Sequence, residues 1–210
     1  ALVFPGGSVD KGDKEIIATP KLYAGGEGLD ETTLSFRIAA IRETFEESGI
    51  LLARPVASKT LVDAKRASEI EAAHRADLCD GKISFLKVLT DNGMVLALDE
   101  LVSYAHWITP EGMPKRFDTW FFLAAAPPEQ VGAHDGKEST DSIWVSPREA
   151  LDGGDSGRFK LPFPTTRNLI KLGKQASVKA ALDDSRGKSV VTVTPVMTKN
   201  NGGRQLRIPL

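Results

Sequence analysis

The sequence predicts a protein of mixed class, α/β or α+β, and three observations predict it. Residues 102–108 and 116–126 carry the β-branched and aromatic side chains that suit strands. Residues 38–50 have helical periodicity: at about 100° per residue, Ile38, Ile41 and Phe45 fall on one side. Segments of the two kinds are interspersed along the chain rather than gathered into blocks. No internal repeat is visible.

Each element follows from local chemistry. Residues 2–4 read as the end of a strand, and Pro5-Gly6-Gly7 as a tight turn where backbone can approach a ligand. The chain opens inside a strand and without Met, so the first strand of the fold is expected to precede Ala1. Residues 8–13 are a polar loop. Residues 14–31 contain Pro20 and Gly25-Gly26-Glu27-Gly28 with no sustained period, and read as a long excursion. That glycine run lacks the lysine and hydroxyl residue of a phosphate loop, so it reads as flexible linker. Thr32 or Thr33 is expected to cap a helix over 34–48, and Gly49 to end it, because glycine accepts the left-handed conformation. A short apolar piece at 51–53 follows. Residues 60–78 and 82–89 read as two inserted helices, serving as a lid or a homodimer contact, before a turn at Asp91-Asn92-Gly93.

In the second half, Thr109-Pro110 closes the strand over 102–108, and Pro127-Pro128 ends the one over 116–126. Residues 130–141 are a polar loop and 143–145 a short strand. Ser146-Pro147 starts a helix with a serine cap and proline at the first position. Residues 153–157 read as a loop, 167–182 as one helix, and 190–196 and 205–208 as closing strands.

Composition excludes several function classes. The 210 residues suffice for one substantial core. The 27 basic and 28 acidic residues nearly cancel, so nothing global favours nucleic acid or a membrane surface. No apolar run of about 18 residues and no signal-peptide pattern occurs. The lone Cys79 excludes an intrachain disulfide and points to a reducing, cytoplasmic compartment. Its neighbours Asp77 and Asp80 disfavour a thiolate nucleophile. His74, His106 and His134 lack zinc spacing.

Opposite the apolar stripe of residues 38–50, Glu43, Glu46 and Glu47 share one helical face. Glutamates on helices are commonly just a solvated surface. Carboxylates this close repel each other, however, and the glycine turn upstream suits a bound phosphate. A divalent cation held by hard oxygen ligands is therefore the candidate.

These residues combine into a longer pattern. Arg42-Glu43-Thr44-Phe45-Glu46-Glu47-Ser48-Gly49-Ile50 follows Arg-Glu-aliphatic-x-Glu-Glu-x-Gly-aliphatic, departing mildly at Thr44, and Gly7 is followed after five residues by Asp13. This resembles the signature box of the Nudix hydrolases, with Asp13 where glutamate is usual. Residues 14–41 replace the family's short spacer, so 14–37 stand as an insertion within the box. Such an insertion resembles a branch related to peroxisomal coenzyme A diphosphatases. Trp107-Ile108-Thr109-Pro110, Arg116-Phe117-Asp118-Thr119, Trp144-Val145-Ser146-Pro147 and Pro164-Thr165-Thr166 fit that branch as well.

The resemblance implies a single Nudix domain over 1–210, an α/β/α sandwich whose mixed sheet is flanked by helices, with an inserted helical segment at 55–100. It implies Mg²⁺ or Mn²⁺ held by Glu43, Glu46, Glu47 and the Gly7 carbonyl, with Arg42 orienting the carboxylates and Asp13 as its structural partner. The implied reaction is hydrolysis of the pyrophosphate bond in a nucleoside diphosphate linked to another moiety, by in-line attack of water. Coenzyme A or acyl-CoA is the favoured substrate. NADH, ADP-ribose or a nucleotide sugar is the alternative, and a non-catalytic binding module is a third reading. The general base is expected at Glu138, in the loop before residues 143–145, or within the box at Glu43, and Glu46 and Arg42 complete the expected catalytic set. Arg116 and Asp118 either line the cleft or pair across strands. Trp107, Trp120 and Trp144 read as core aromatics, and Arg158 and Lys160 as solvated cations. The expected partner is a small-molecule nucleotide derivative, not nucleic acid or membrane.

Overall fold

In the computed structural model, which describes residues 1–132, 141–200 and 203–208, the apolar stripe forms the predicted helix. Its side chains Ile38, Ile41 and Phe45 are completely buried. Burying side chains of this size stabilises by about 1.5–3 kcal/mol each, which fixes which face of the helix turns outward. The chain divides into two units, Pro5–Leu101 with Ala124–Trp144, and Ala1–Phe4 with Val102–Leu123 and Val145–Leu210.

The first unit runs α1 (Lys11–Ile17), a 3₁₀ turn (Pro20–Leu22), β1 (Tyr23–Ala24), α2 (Glu31–Ser48), β2 (Ala53–Pro55), α3 (Ala64–Cys79), α4 (Phe85–Asn92), β3 (Met94–Ala97) and a second 3₁₀ turn (Leu98–Glu100). Its sheet has the order β1-β3-β2, with β1 parallel and β2 antiparallel to β3. Leu96 is the shared register point, opposite Tyr23 on one side and Ala53 on the other. Around this sheet pack Ile16, Leu51, Ile70, Leu89 and Leu98, all fully buried, and Phe45 stacks on Phe85 at 6.0 Å.

The structure corrects several expectations here. Residues 14–31 are not a bare excursion, because Asp10 and Asp13 form a capping box for α1 and Ile16 anchors that helix in the core. The cap of α2 is Asp30, which accepts from the Thr33 amide at 2.7 Å, so Thr32 and Thr33 lie inside the helix. The helices expected over 60–78 and 82–89 start later than predicted, at their caps Asp63 and Ser84. Asp91 and Asn92 finish α4, and Gly93 closes it in the left-handed region at φ 61°. Strand β3 was absent from the sequence reading; its four apolar residues are too short to show a period.

The second unit contains β4 (Val102–Ile108), β5 (Asp118–Leu123), α5 (Pro147–Asp155), α6 (Phe163–Leu172), α7 (Val178–Arg186), β6 (Thr192–Val193), β7 (Val196–Asn200) and β8 (Gly203–Arg207). Its sheet has the order β5-β4-β6, antiparallel then parallel, and β7 and β8 form a separate hairpin. His106 spans all three strands: its ring nitrogens bond Thr192 and Asp118, and it stacks on Trp120 at 4.2 Å. Asp118 is thus a cross-strand partner, and Arg116 donates to the Thr109 carbonyl. Trp107 is buried and donates to Asn168, as a core aromatic should. Trp144, at 67% exposure, is not a core residue.

Strand β4 and the Ser146 cap with Pro147 match the sequence reading. Residues 2–4 and 143–145 are not strands; Leu2 instead donates to the Lys160 carbonyl, and Phe4 meets Phe121 edge-on. Gly153 and Gly154 belong to α5 rather than to a loop, and a Cβ at either would strike Phe159 or Leu161. Residues 167–182 break into α6 and α7, the latter restarted by the Ser177 cap. The strand over 190–196 is interrupted before Val196 at Pro195, which lacks a ladder donor. No helix among the described residues is long and apolar enough to cross a membrane.

Candidate active site

The box residues gather around one buried guanidinium. Arg42 leaves α2 with 5% of its side chain exposed and donates in four directions. Nε and Nη2 grip Asp13 as a fork, at 2.9 and 3.1 Å. Nη2 also reaches the Ser8 carbonyl at 2.9 Å, and Nη1 bonds Glu43 at 2.9 Å and Glu46 at 3.1 Å. Asp13 itself is fully buried and accepts from the Asp10 amide, so the capping box of α1 holds the arginine's partner in place. The pairing of Asp13 with Arg42 implied by the family pattern is thus present, between residues 29 apart in the chain.

Gly7 lies directly against Glu43. A Cβ on Gly7 would overlap the Glu43 carboxylate, so only glycine lets the backbone come this near. The carbonyl that Arg42 engages belongs to Ser8, not Gly7. Gly49 ends α2 in the left-handed region at φ 75°, as its position in the pattern predicts.

The electrostatics are unbalanced. Burial pushes the Glu46 carboxyl up to about 7, with Arg42 pulling it down and Glu43 adding to the rise. Burial works to lower the Arg42 pKa, yet Asp13, Glu46 and Glu43 together hold it above its ordinary value. One guanidinium hydrogen-bonds three carboxylates, Asp13, Glu43 and Glu46, and a fourth, the more exposed Asp10, lies 3.9 Å from it. Fully ionised, the hydrogen-bonded acids leave two negative charges in excess of the guanidinium and Asp10 adds a third, so the site favours a cation.

The donors fit a hard cation in kind: carboxylate oxygens from one helix face, beside a glycine backbone. Arg42 holds one oxygen of Glu43 and one of Glu46. Glu47 shares their face by helical spacing and is half-buried. Among the described residues, no three acid, imidazole or thiol groups stand ready-formed around a metal position. The structure therefore brings together Gly7, Arg42, Glu43 and Glu46. Glu138 and His134 lie outside the described residues.

Several positioning residues escaped the sequence reading. Ser8 and Asp10 looked like loop polarity, although Asp10-x-x-Asp13 is a readable capping pattern. Gln130, buried, accepts from the Leu51 amide at 2.9 Å and donates to the Val62 carbonyl at 3.0 Å. Arg75 donates to the Glu46 carbonyl at 2.8 Å. Neither of the last two has a local signal, since their partners are far away in sequence.

Comparison with known proteins bears on the same residues. The NUDT19 Nudix domain model matches residues 25–172, a span that takes in α2 and leaves Gly7 and Asp13 outside. The chain is 32% identical over 146 residues to Acyl-coenzyme A diphosphatase NUDT19 of Xenopus laevis, covering 65% of this chain and 38% of that protein. It is 30% identical over 152 residues to the human protein of the same name, covering 69% and 40%. The chain thus spans less than half the length of these curated relatives. Among solved structures, a NUDIX hydrolase from Alicyclobacillus acidocaldarius aligns with a TM-score of 0.68 at 27% identity, covering 86% of this chain and 79% of that one. That likeness carries the Nudix α/β fold, with its mixed sheets and helices, over to this chain. With the family model spanning well over half of its residues, α2 and its carboxylates among them, the chain belongs to the NUDT19 Nudix domain family.

Proposed function

We propose that this chain is a Nudix hydrolase that cleaves the pyrophosphate bond of a nucleoside diphosphate linked to another moiety, with coenzyme A or acyl-CoA as the favoured substrate. The observation that carries the reading is the excess of carboxylate around Arg42, with Glu43 and Glu46 on the box helix and Asp13 and Asp10 at the start of α1 all paired with one guanidinium. A pyrophosphate adds further negative charge, so the site works only with a cation between the two. The relatives are named acyl-coenzyme A diphosphatases, which supports the substrate class. The reading takes residues 1–210 as one Nudix domain, with 14–37 and 55–100 as insertions, in a cytoplasmic protein of reducing surroundings.

The geometry supports the following roles. Arg42, locked by Asp13 and the Ser8 carbonyl, fixes the rotamers of Glu43 and Glu46. Glu43, Glu46, Glu47 and the Gly7 carbonyl would hold Mg²⁺ or Mn²⁺, which supplies Lewis-acid polarisation of a phosphoryl oxygen and acidifies a water. Glu46, whose carboxyl sits near 7 before any cation arrives, is poised to give up its proton as the site fills. A carboxylate removes a proton from the attacking water: Glu43 on the box helix, or Glu138.

The test is turnover. The protein is incubated with Mg²⁺ or Mn²⁺ and a panel of coenzyme A, acyl-CoA, NADH, ADP-ribose and nucleotide sugars, and products are resolved by chromatography, with Glu46→Gln as control. Release of 3′,5′-ADP and a phosphopantetheine product is expected from coenzyme A, and loss of turnover in the variant. Turnover of NADH, ADP-ribose or a sugar nucleotide in its place would reassign the substrate. No turnover on any substrate would leave a binding module.

A further inference from the structure

The inserted helix α3 does more than add surface. Its side chains close the C-terminus of α2, the helix that carries the carboxylates. A helix leaves its last carbonyls without intrahelical partners. For the Glu46 carbonyl the in-helix donor would be the Ile50 amide, but that amide turns to the Ser48 hydroxyl at 3.4 Å. Arg75 takes its place, with Nε donating to the Glu46 carbonyl at 2.8 Å. Cys79, one turn further along α3, points its thiol at the same oxygen at 3.6 Å.

Arg75 is itself braced. Its Nη1 bonds Glu71 at 2.6 Å, one turn back on α3. The Glu71 carboxylate in turn occupies the space where a Cβ on Gly49 would stand. The box glycine therefore has two reasons to be glycine: its φ of 75°, and the room it leaves for Glu71. The sequence reading found only the first. The chain of contacts runs from Gly49 to Glu71, to Arg75, to the backbone of Glu46. A buried guanidinium at the negative end of the α2 dipole also stabilises that last turn electrostatically.

We infer that Arg75 is a positioning residue of the carboxylate turn: through the Glu46 carbonyl it sets where Glu43, Glu46 and Glu47 present their oxygens, so α3 governs metal affinity without touching the metal. This rests on the proposed metal-dependent reading of the same helix.

The test uses the whole chain stripped with chelator. Mn²⁺ binding is measured by the loss of the free-ion electron paramagnetic resonance signal, and amide hydrogen exchange is followed at residues 47–50 without metal. Arg75→Gln should weaken Mn²⁺ binding by about tenfold, the usual scale for residues that orient metal ligands. Exchange in the last turn of α2 should speed up, while the amides of α1 stay as they are. Arg75→Lys, which keeps a donor and the charge, should restore most of the affinity. Glu71→Gln should shift both readouts in the same direction by less, and carries the test if Arg75→Gln does not fold. Wild-type affinity and exchange in Arg75→Gln, or in Glu71→Gln where only that variant folds, would overturn the inference. Failure of the wild type to bind Mn²⁺ would instead overturn the metal reading, and exchange at 47–50 would still decide whether Arg75 holds the turn.

Discussion

Replacing Arg42 with Gln is the sharpest single perturbation of this site. The substitution removes a fork of two hydrogen bonds to Asp13, one to the Ser8 carbonyl, and one each to Glu43 and Glu46. What remains is a fully buried Asp13 carboxylate whose Asp10 amide bond persists but whose countercharge is gone. Breaking a buried pair in this way costs about 3–5 kcal/mol, mostly from the stranded charge rather than from the lost attraction. For a chain of this size each kcal/mol moves the melting temperature by about 2–4 °C, so a fall on the order of 10 °C is expected. The assay is thermal unfolding in chelator at neutral pH, followed by circular dichroism. Should the two units melt separately, the fall belongs to the transition of the unit containing α2. Arg42→Lys keeps the charge and loses the fork, and should fall between the two. In Asp13→Asn the stranded carboxylate is absent, so adding Arg42→Gln to it should cost far less than in the wild type. A single Arg42→Gln variant within about 1 kcal/mol of wild type would refute the view that this arginine holds the site together.

Other residues give tests of different kinds. Glu46, with its carboxyl raised to about 7 from 4.5, favours its protonated form when folded, so its stabilising contribution is whole below pH 4.5 and lost as pH rises through 7. In metal-free protein, Glu46→Gln should therefore gain on wild type between pH 5 and pH 8, by up to about 3 kcal/mol, and a pH-independent difference in melting temperature would contradict this. Gly7→Ala places a methyl group on the Glu43 carboxylate, and Mn²⁺ binding by the chelator-stripped variant should weaken by about tenfold or more; unchanged binding would separate Gly7 from the metal site. Gln130→Ala strands the buried Leu51 amide and should cost about 1–3 kcal/mol in urea denaturation, whereas a neutral result would mean that water replaces the amide side chain.

Much of the site was legible because its signals are local. The stripe of Ile38, Ile41 and Phe45, the opposing Glu43, Glu46 and Glu47, and the Gly49 stop all lie within four turns of one helix, where backbone geometry alone sets which residues share a face. The same holds for strand β4 and for the Ser146 cap. The spacing of Arg42 and its glutamates resembles a Nudix box. The capping box of Asp10 and Asp13 is equally local, three residues apart at the start of α1.

The rest depended on which distant surfaces meet. Tyr23 pairs with Leu96, and Ala53 with the same residue from the other side, across stretches with no periodicity that names a partner. Gly153 reads as a loop glycine until Phe159 is seen to fill the place of its side chain. The α2 helix shows the division most clearly. Sequence by itself determined its faces, its acids and its glycine end, because helical period and chirality act over a few residues. Tertiary structure alone decided that Asp13 would clasp Arg42 and that Arg75 would hold the Glu46 carbonyl. Those bonds join groups 29 residues apart in the chain, and such pairing is set by the packing of whole helices rather than by any preference written at either end.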